Sequence, residues 1–248
     1  MPEKSVQVLL PGAQKWLSRS SGPPYDPAML NILDDNENPA LGAILGQLRS
    51  VEQQKGRKVF RQNVHLVGTL LAYEIAKSLD SKAVDVQTPL GTKSLKTLRE
   101  LPILATALRA GMPFLDGMLD IYGEADTMFF GAARAIGAAP QTDGSLKIDM
   151  GYAAMSPSAG RSVIFVDPMI ATGSTVVDVY RRLCEAEQTP KRFIVAGLVG
   201  WRGAYDRIVK HIPQAEVWFA TCDEELDSHG YIVPGLGDAG DLCYGPKI

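Results

Sequence analysis

Three cysteines, three histidines and a nearly balanced charge remove several common chemistries from this chain of 248 residues. Cys184, Cys222 and Cys243 are odd in number and lack metal-ligand spacing, so they read as free thiols in a reducing cytosol. Twenty-five basic against twenty-eight acidic residues give a formal charge of −3, which lacks the basic excess of a general nucleic-acid binder. Any polyanionic ligand must then be held by local positive potential. No apolar run approaches the ~20 residues of a membrane span, because Pro, Gly or a charge interrupts each one. The stretch MPEKSVQVLLPGAQKW has neither the apolar region nor the small-residue cleavage site of a signal peptide, and a cytoplasmic location is expected. Internal repeats and low-complexity tracts are also missing.

What remains is ordinary globular material, with 46% apolar and 21% charged residues. The first forty residues, with SSGPPYDPAMLNILDDNENPA, read as an irregular arm (1–40) ahead of one domain (41–248). Phe60, Val64, Val67, Leu71, Ile75 and Leu79 recur at three- and four-residue steps and predict an amphipathic helix. AVDVQTPLG reads as a short strand and turn. LPILATALRAG reads as a buried strand followed by the helix MPFLDGMLDIY, and DTMFFGAARA as another strand. After an insertion containing PQTDGS come the strands SVIFV, KRFIVAGLVGW and AEVWFATC, with GAYDRIVKHI helical between the last two. Strands alternating with helices predict an α/β fold: a mostly parallel twisted sheet flanked by helices.

The stretch SVIFVDPMIATGSTVVDVYRRL, 162–183, carries the most chemistry. A β-branched run ends in Asp167-Pro168, and beyond it Val176, Val179, Tyr180 and Leu183 form one helical stripe, so a helix begins near Ser174. Thr172 or Ser174 can cap it. Ligands of open parallel sheets bind at the carboxyl ends of strands. The helix start adds unpaired N–H groups and ~+0.5 of a charge, which suits a phosphate. Asp167 repels a phosphate and suits sugar hydroxyls or an accompanying cation. The bland alternative is a turn of good capping residues and nothing more. No Gly-Lys-Ser/Thr follows this turn and no G-x-G-x-x-G lies in it, so neither a P-loop nor a dinucleotide site is read here.

VDPMIATGST closely resembles the phosphoribosyl-diphosphate (PRPP) loop of uracil phosphoribosyltransferases, where Asp-Pro-Met-Leu-Ala-Thr-Gly-Gly-Ser is usual. HGYIVPGLGDAGDLCYG, 229–245, resembles the uracil-binding C-terminus of the same family, and LRAGMPFLDGML and FRQNVHLVGTLLAYEIAKSL resemble two further segments. The resemblance implies a type I phosphoribosyltransferase fold with a small hood from the N- and C-terminal segments, joining uracil to PRPP to give UMP and diphosphate. It implies that Asp167 bonds the ribose hydroxyls and that Ala171, Thr172, Gly173, Ser174 and Thr175 cradle the 5′-phosphate. Pro168, Met169 and Ile170 belong to the same PRPP segment. Arg109 is expected on the diphosphate, with Arg134 at the place of a second arginine. Ile232, Gly237, Asp238 and Ala239 are expected to read uracil, and Asp238 also to face PRPP. Arg109, Asp167 and Asp238 are thus the candidate catalytic residues. The implied cofactor is Mg²⁺ carried mainly by the diphosphate, without a protein metal cage, and the implied assembly is a homodimer or higher homo-oligomer. A GTP effector site occurs in some relatives.

The chain departs from the family pattern in places. Ala133 stands where a tyrosine is usual before Arg134, no acid follows, and the segment before SVIFVDP is longer. Ser174 and Thr175 replace Gly-Ser. His229 reads as a hydrogen-bonded structural residue more than a proton carrier, and His65 and His211 as surface or packing residues. Asp116 and Asp120 share a helix face as exposed acids, and Asp34 and Asp35 belong to the polar arm. A uracil- or UMP-sensing regulator of the same fold with weak or no catalysis is the competing function. It calls for a basic RNA-binding face that the charge balance does not provide.

Overall fold

The alternation of β-branched runs with helical stripes is realised in a computed structural model, which describes residues 30–33, 38–134 and 148–246. Seven strands form the main sheet: β1 (Leu30–Ile32), β4 (Ile103–Leu108), β5 (Thr127–Arg134), β6 (Ile148–Ala154), β7 (Ser162–Ile170), β8 (Arg192–Trp201) and β9 (Ala215–Asp223). Their order is β1-β9-β8-β7-β4-β5-β6, and every neighbouring pair is parallel except β5 with β6. The central strands are buried on both faces, which is why they read as continuous apolar runs without alternation.

Period-2 geometry divides those runs between two cores. Leu104, Ile164, Val166, Ile194 and Ala196 face one core with α1 (Pro39–Arg49), α2 (Arg57–Ala76) and α3 (Met112–Tyr122). Ile103, Ala105, Val163, Phe165 and Val195 face the other, under α4 (Ser174–Glu185) and α5 (Arg202–His211). The expected stripe of α2 is buried at Phe60, Val64, Val67, Leu71 and Ile75, while Leu79 is buried just beyond the helix. Each such side chain contributes about 1.5–3 kcal/mol on burial. Tyr122 is wholly buried where its hydroxyl can donate to Ala72 O at 2.9 Å, so its polar end is satisfied inside the core. Near the C-terminus α6 (Ala239–Tyr244) packs on α2, and Arg61 of α2 donates to Cys243 O at 2.6 Å.

Four expectations need correction. Leu30–Ile32 is not irregular, because it adds a parallel edge strand to β9, and α1 begins at Pro39 with the Asn38 side chain accepting from the Ala40 and Leu41 N–H groups. AVDVQTPLG is not a lone strand but the first half of an antiparallel hairpin, β2 (Ser81–Thr88) with β3 (Gly91–Leu98), paired from Ser81↔Leu98 to Thr88↔Gly91. Both of its faces are largely exposed, so the polar stretch GTKSLKTL carried no burial pattern to reveal a strand. An antiparallel edge strand, β6, lies beyond the insertion and was not read. The residue next to α4 is Gly173, in a left-handed conformation, and not a hydroxylated residue; the Thr172 hydroxyl accepts from the first helical N–H, at Ser174, from one position further out. The PQTDGS insertion, Asp34, Asp35 and residues 1–29 lie outside the described residues. No described helix is long and apolar enough to cross a membrane.

Candidate active site

The sheet opens at one point. β4 pairs with β7 from Ile103↔Val163 only as far as Thr106↔Val166, where the Thr106 hydroxyl donates to Val166 O at 2.7 Å. The next residues, Asp167 and Pro168, continue β7 along β8 alone, with Asp167↔Gly197 and Met169↔Val199 in register. Proline has no N–H with which to extend a ladder. β4 meanwhile turns through Arg109 into α3, across a cis peptide between Leu108 and Arg109. A cavity of about 510 Å³ occupies the resulting cleft.

Its walls come from three segments: 107–110 at the end of β4 and just beyond it, 167–176 through the β7–α4 turn, and 230–240 near the C-terminus. Asp167, Met169, Ile170, Ala171, Thr172, Gly173, Ser174 and Thr175 line it together with Arg109, Ile232, Gly237, Asp238 and Ala239. Pro168 is buried in β7 and is not among the lining residues. Arg134 ends β5, the strand beside β4, immediately before residues outside the described set. Sequence reasoning missed Ala107, Leu108, Ala110, Val176, Gly230, Tyr231 and Gly240 as lining residues, although each lies within two positions of a candidate.

The turn after β7 is built for close approach. Gly173 has φ +74°, and a Cβ there would lie 3.2 Å from Ile208 Cγ1 and 3.3 Å from Ala204 O. Thr172 and Ser174 are both buried, and the Thr172 hydroxyl accepts from Ser174 N–H at 3.3 Å and donates to Ser174 Oγ at 2.9 Å. The hydroxyls therefore brace the turn at the start of a twelve-residue helix, whose partial positive end faces the cavity.

Three charged groups face the cleft. Burial pushes the Asp167 carboxyl up to about 7, opposed by the hydrogen bond it accepts from Met169 N–H at 3.1 Å. Arg109 is partly exposed, and its guanidinium donates to Asp241 Oδ1 at 3.1 Å and to Gly245 O at 3.3 Å. Asp238 accepts from Asp241 N–H at 3.0 Å and so starts α6. Among the described residues no group of three or more His, Cys, Asp or Glu could hold a metal ion. Isolated carboxylates fit Mg²⁺, which binds through one or two carboxylates plus substrate oxygens and water.

Other candidate side chains lie elsewhere. His229 is exposed, with Nδ1 3.8 Å from Asp227 Oδ2, and does not line the cavity. His65 pairs with Asp120 at 2.7 Å on the α2–α3 surface; this bond, with one from Thr69, holds the Asp120 carboxyl below its usual range. His211 ends α5. The glycines of GLGDAG carry the letters of a dinucleotide fingerprint, but they follow the two-residue strand Ile232–Val233 and Pro234 instead of a long buried strand.

Comparison with known proteins assigns this arrangement to a family. The family model described as uracil phosphoribosyltransferase matches residues 36–246. A uracil phosphoribosyltransferase of Porphyromonas gingivalis is 36% identical over 213 residues, which are 86% of this chain and 96% of that protein. One from Thermococcus sibiricus is 34% identical over 216 residues, covering 86% and 89% of the two chains. A solved protein of Aquifex aeolicus superposes with a TM-score of 0.75 at 27% identity, over 89% of this chain and 100% of its own. This chain belongs to the uracil phosphoribosyltransferase family.

Proposed function

We infer that this protein catalyses transfer of the phosphoribosyl group from PRPP to uracil, forming UMP and diphosphate. One observation carries this reading beyond family membership: the β7–α4 turn and the 230–240 segment line the same cavity. The cleft can therefore hold an anionic sugar beside a flat, edge-recognised base.

Each group has a role in this scheme. The Ala171–Thr175 turn and the α4 N-terminus hold the 5′-phosphate, and Asp167 accepts hydrogen bonds from the ribose hydroxyls. Arg109, with Arg134 from the end of β5, takes the diphosphate. Main chain at Gly237 and Ala239, with Ile232 beneath, matches the uracil edge, and Asp238 lies between base and donor. Cytosine would oppose a donor to a donor there, and such a buried mismatch costs about 1–3 kcal/mol. Uracil N1 attacks the anomeric carbon as the bond from that carbon to the diphosphate oxygen breaks. The diphosphate leaves with the electron pair, and the N1 proton passes to water. Negative charge grows on the leaving group, so Arg109 stabilises the transition state more than the ground state. Mg²⁺ bound with the diphosphate would supply further charge neutralisation, and Asp238 is the cleft carboxylate that would help to hold it. We place the enzyme in the cytoplasm as a homo-oligomer.

Incubating the protein with PRPP, Mg²⁺ and a panel of bases should yield UMP from uracil and far less product from cytosine. Absence of nucleotide from every base, with RNA retained by the purified protein, would support the regulatory reading instead. Within the scheme, Gly173→Ala forces a side chain into the left-handed region, at roughly 1–2 kcal/mol. It should raise the KM for PRPP by about tenfold while leaving that for uracil within a factor of about two, as steady-state kinetics would report.

A further inference from the structure

The segment that carries Ile232 and Gly237 is fixed from behind by two charged side chains that do not line the cavity. Asp223 is the last residue of β9 and is 8% exposed. Arg49 is the last residue of α1. They form a two-pronged pair, with Arg49 Nη1 2.8 Å from Asp223 Oδ2 and Nη2 2.9 Å from Oδ1.

Both then hold a single residue of the base segment, through the two peptide groups that flank it. Asp223 Oδ2 accepts from Gly235 N–H at 2.9 Å, and Arg49 Nη1 donates to Gly235 O at 3.1 Å. Arg49 Nη2 also donates to the Thr221 hydroxyl at 3.3 Å, so the guanidinium is fixed on the strand side as well. Gly235 is buried, with φ +54°, and a Cβ there would lie 2.1 Å from Ile232 O. One residue further on, Leu236 is buried in the core, and Gly237 enters the cavity.

We propose that Arg49 and Asp223 are positioning residues for base recognition. They tie the turn between Ile232 and Gly237 to the rigid end of β9, so that the main-chain groups meeting the base hold one register. This inference rests on the reading that 232–239 binds uracil. A pair serving only to anchor α1 would need no bond to the loop, yet both amide groups of Gly235 are taken by these two side chains. Main-chain recognition has no side chain to readjust, and a misplacement of about 1 Å carries a large kinetic cost. The 5′-phosphate turn lies on β7 and α4, outside this network.

Two conservative variants test the proposal. Arg49→Lys keeps the charge but cannot fork to Asp223 and Gly235 together. Asp223→Asn keeps the size but replaces one acceptor with a donor. Each should raise the uracil KM by roughly tenfold or more and narrow uracil-over-cytosine selectivity, while the PRPP KM stays within a factor of about two. PRPP affinity and the melting transition are measured on the same samples. An unchanged uracil KM in both variants, with wild type forming UMP, overturns the proposal and leaves the reaction assignment standing. Equal loss of PRPP and uracil binding, or loss of the native transition in both variants, assigns the pair to general stability and also overturns it. Failure of wild type to form UMP removes the reaction assignment, and this inference falls with it.

Discussion

Replacing Asp167 with asparagine should lower kcat/KM for PRPP by roughly 100- to 1,000-fold while making the free protein more stable at alkaline pH. In the proposed scheme the activity loss follows from two charge-assisted hydrogen bonds to ribose hydroxyls, each worth about 1.5–3 kcal/mol. Asparagine offers one carbonyl oxygen and turns a donor toward the second hydroxyl. The gain in stability has the opposite cause. Burial raises the Asp167 carboxyl from an ordinary 3.8 to about 7, so the folded chain binds this proton more tightly than the unfolded chain. At pH 3 both states are protonated and burial imposes no charge penalty. Between about pH 4 and 7 the unfolded state ionises first, and stability falls as pH rises. Above about 7 the penalty is complete, at most about 4 kcal/mol from 1.36 per unit. The melting advantage of Asp167→Asn should thus be small at pH 4, grow through that window and level off. In wild type, the same ionisation should make PRPP capture rise with pH up to about 7, and the variant should lose that limb. Identical melting profiles for the two proteins at pH 8 would show that the carboxylate carries no burial penalty.

The second large effect is expected from Arg109→Ala, with kcat/KM for PRPP reduced by roughly 100- to 1,000-fold. Preorganised charge facing a leaving group typically supplies about 3–4 kcal/mol to the transition state. Stability should hardly change, because the ion pair with Asp241 is partly exposed, and such pairs contribute about 0–1 kcal/mol. Arg109→Lys should recover part of the rate, since charge is kept while the planar fork is lost. A fall in melting temperature matching the loss of rate would instead make Arg109 a strut for α6, which it touches at Asp241 and near Gly245. Activity unchanged in the alanine variant would remove Arg109 from the proposed diphosphate site.

Legibility in the sequence followed burial. β4, β7 and β8 were readable because both of their faces are covered, so each is an unbroken apolar run. Helix α2 was readable because one face alone is buried. The β2–β3 hairpin was half read, since little in Gly91–Leu98 is buried and composition then carries no period. β1 was missed because three residues beside Pro- and Asp-rich sequence owe their strand state to the ready-made edge of β9. The position next to α4 belongs to left-handed Gly173, where a side chain would crowd Ala204 and Ile208 of α5, and the Thr172 hydroxyl reaches the first helical N–H from one position further out.

Local chemistry alone determined the alternating α/β order, the carboxylate and glycine at a strand-to-helix turn, and the main-chain-rich segment near the C-terminus, since each is written in consecutive residues. Tertiary structure decided that β4 leaves β7 after Val166, which opens a cleft, and that residues 230–240 close it. It also joined Arg49 to Asp223 and Gly235 across 174 and 186 positions of chain. Spacing cannot foretell such partners, because a hydrogen bond or ion pair depends on distance in space, and only the packed core sets that distance.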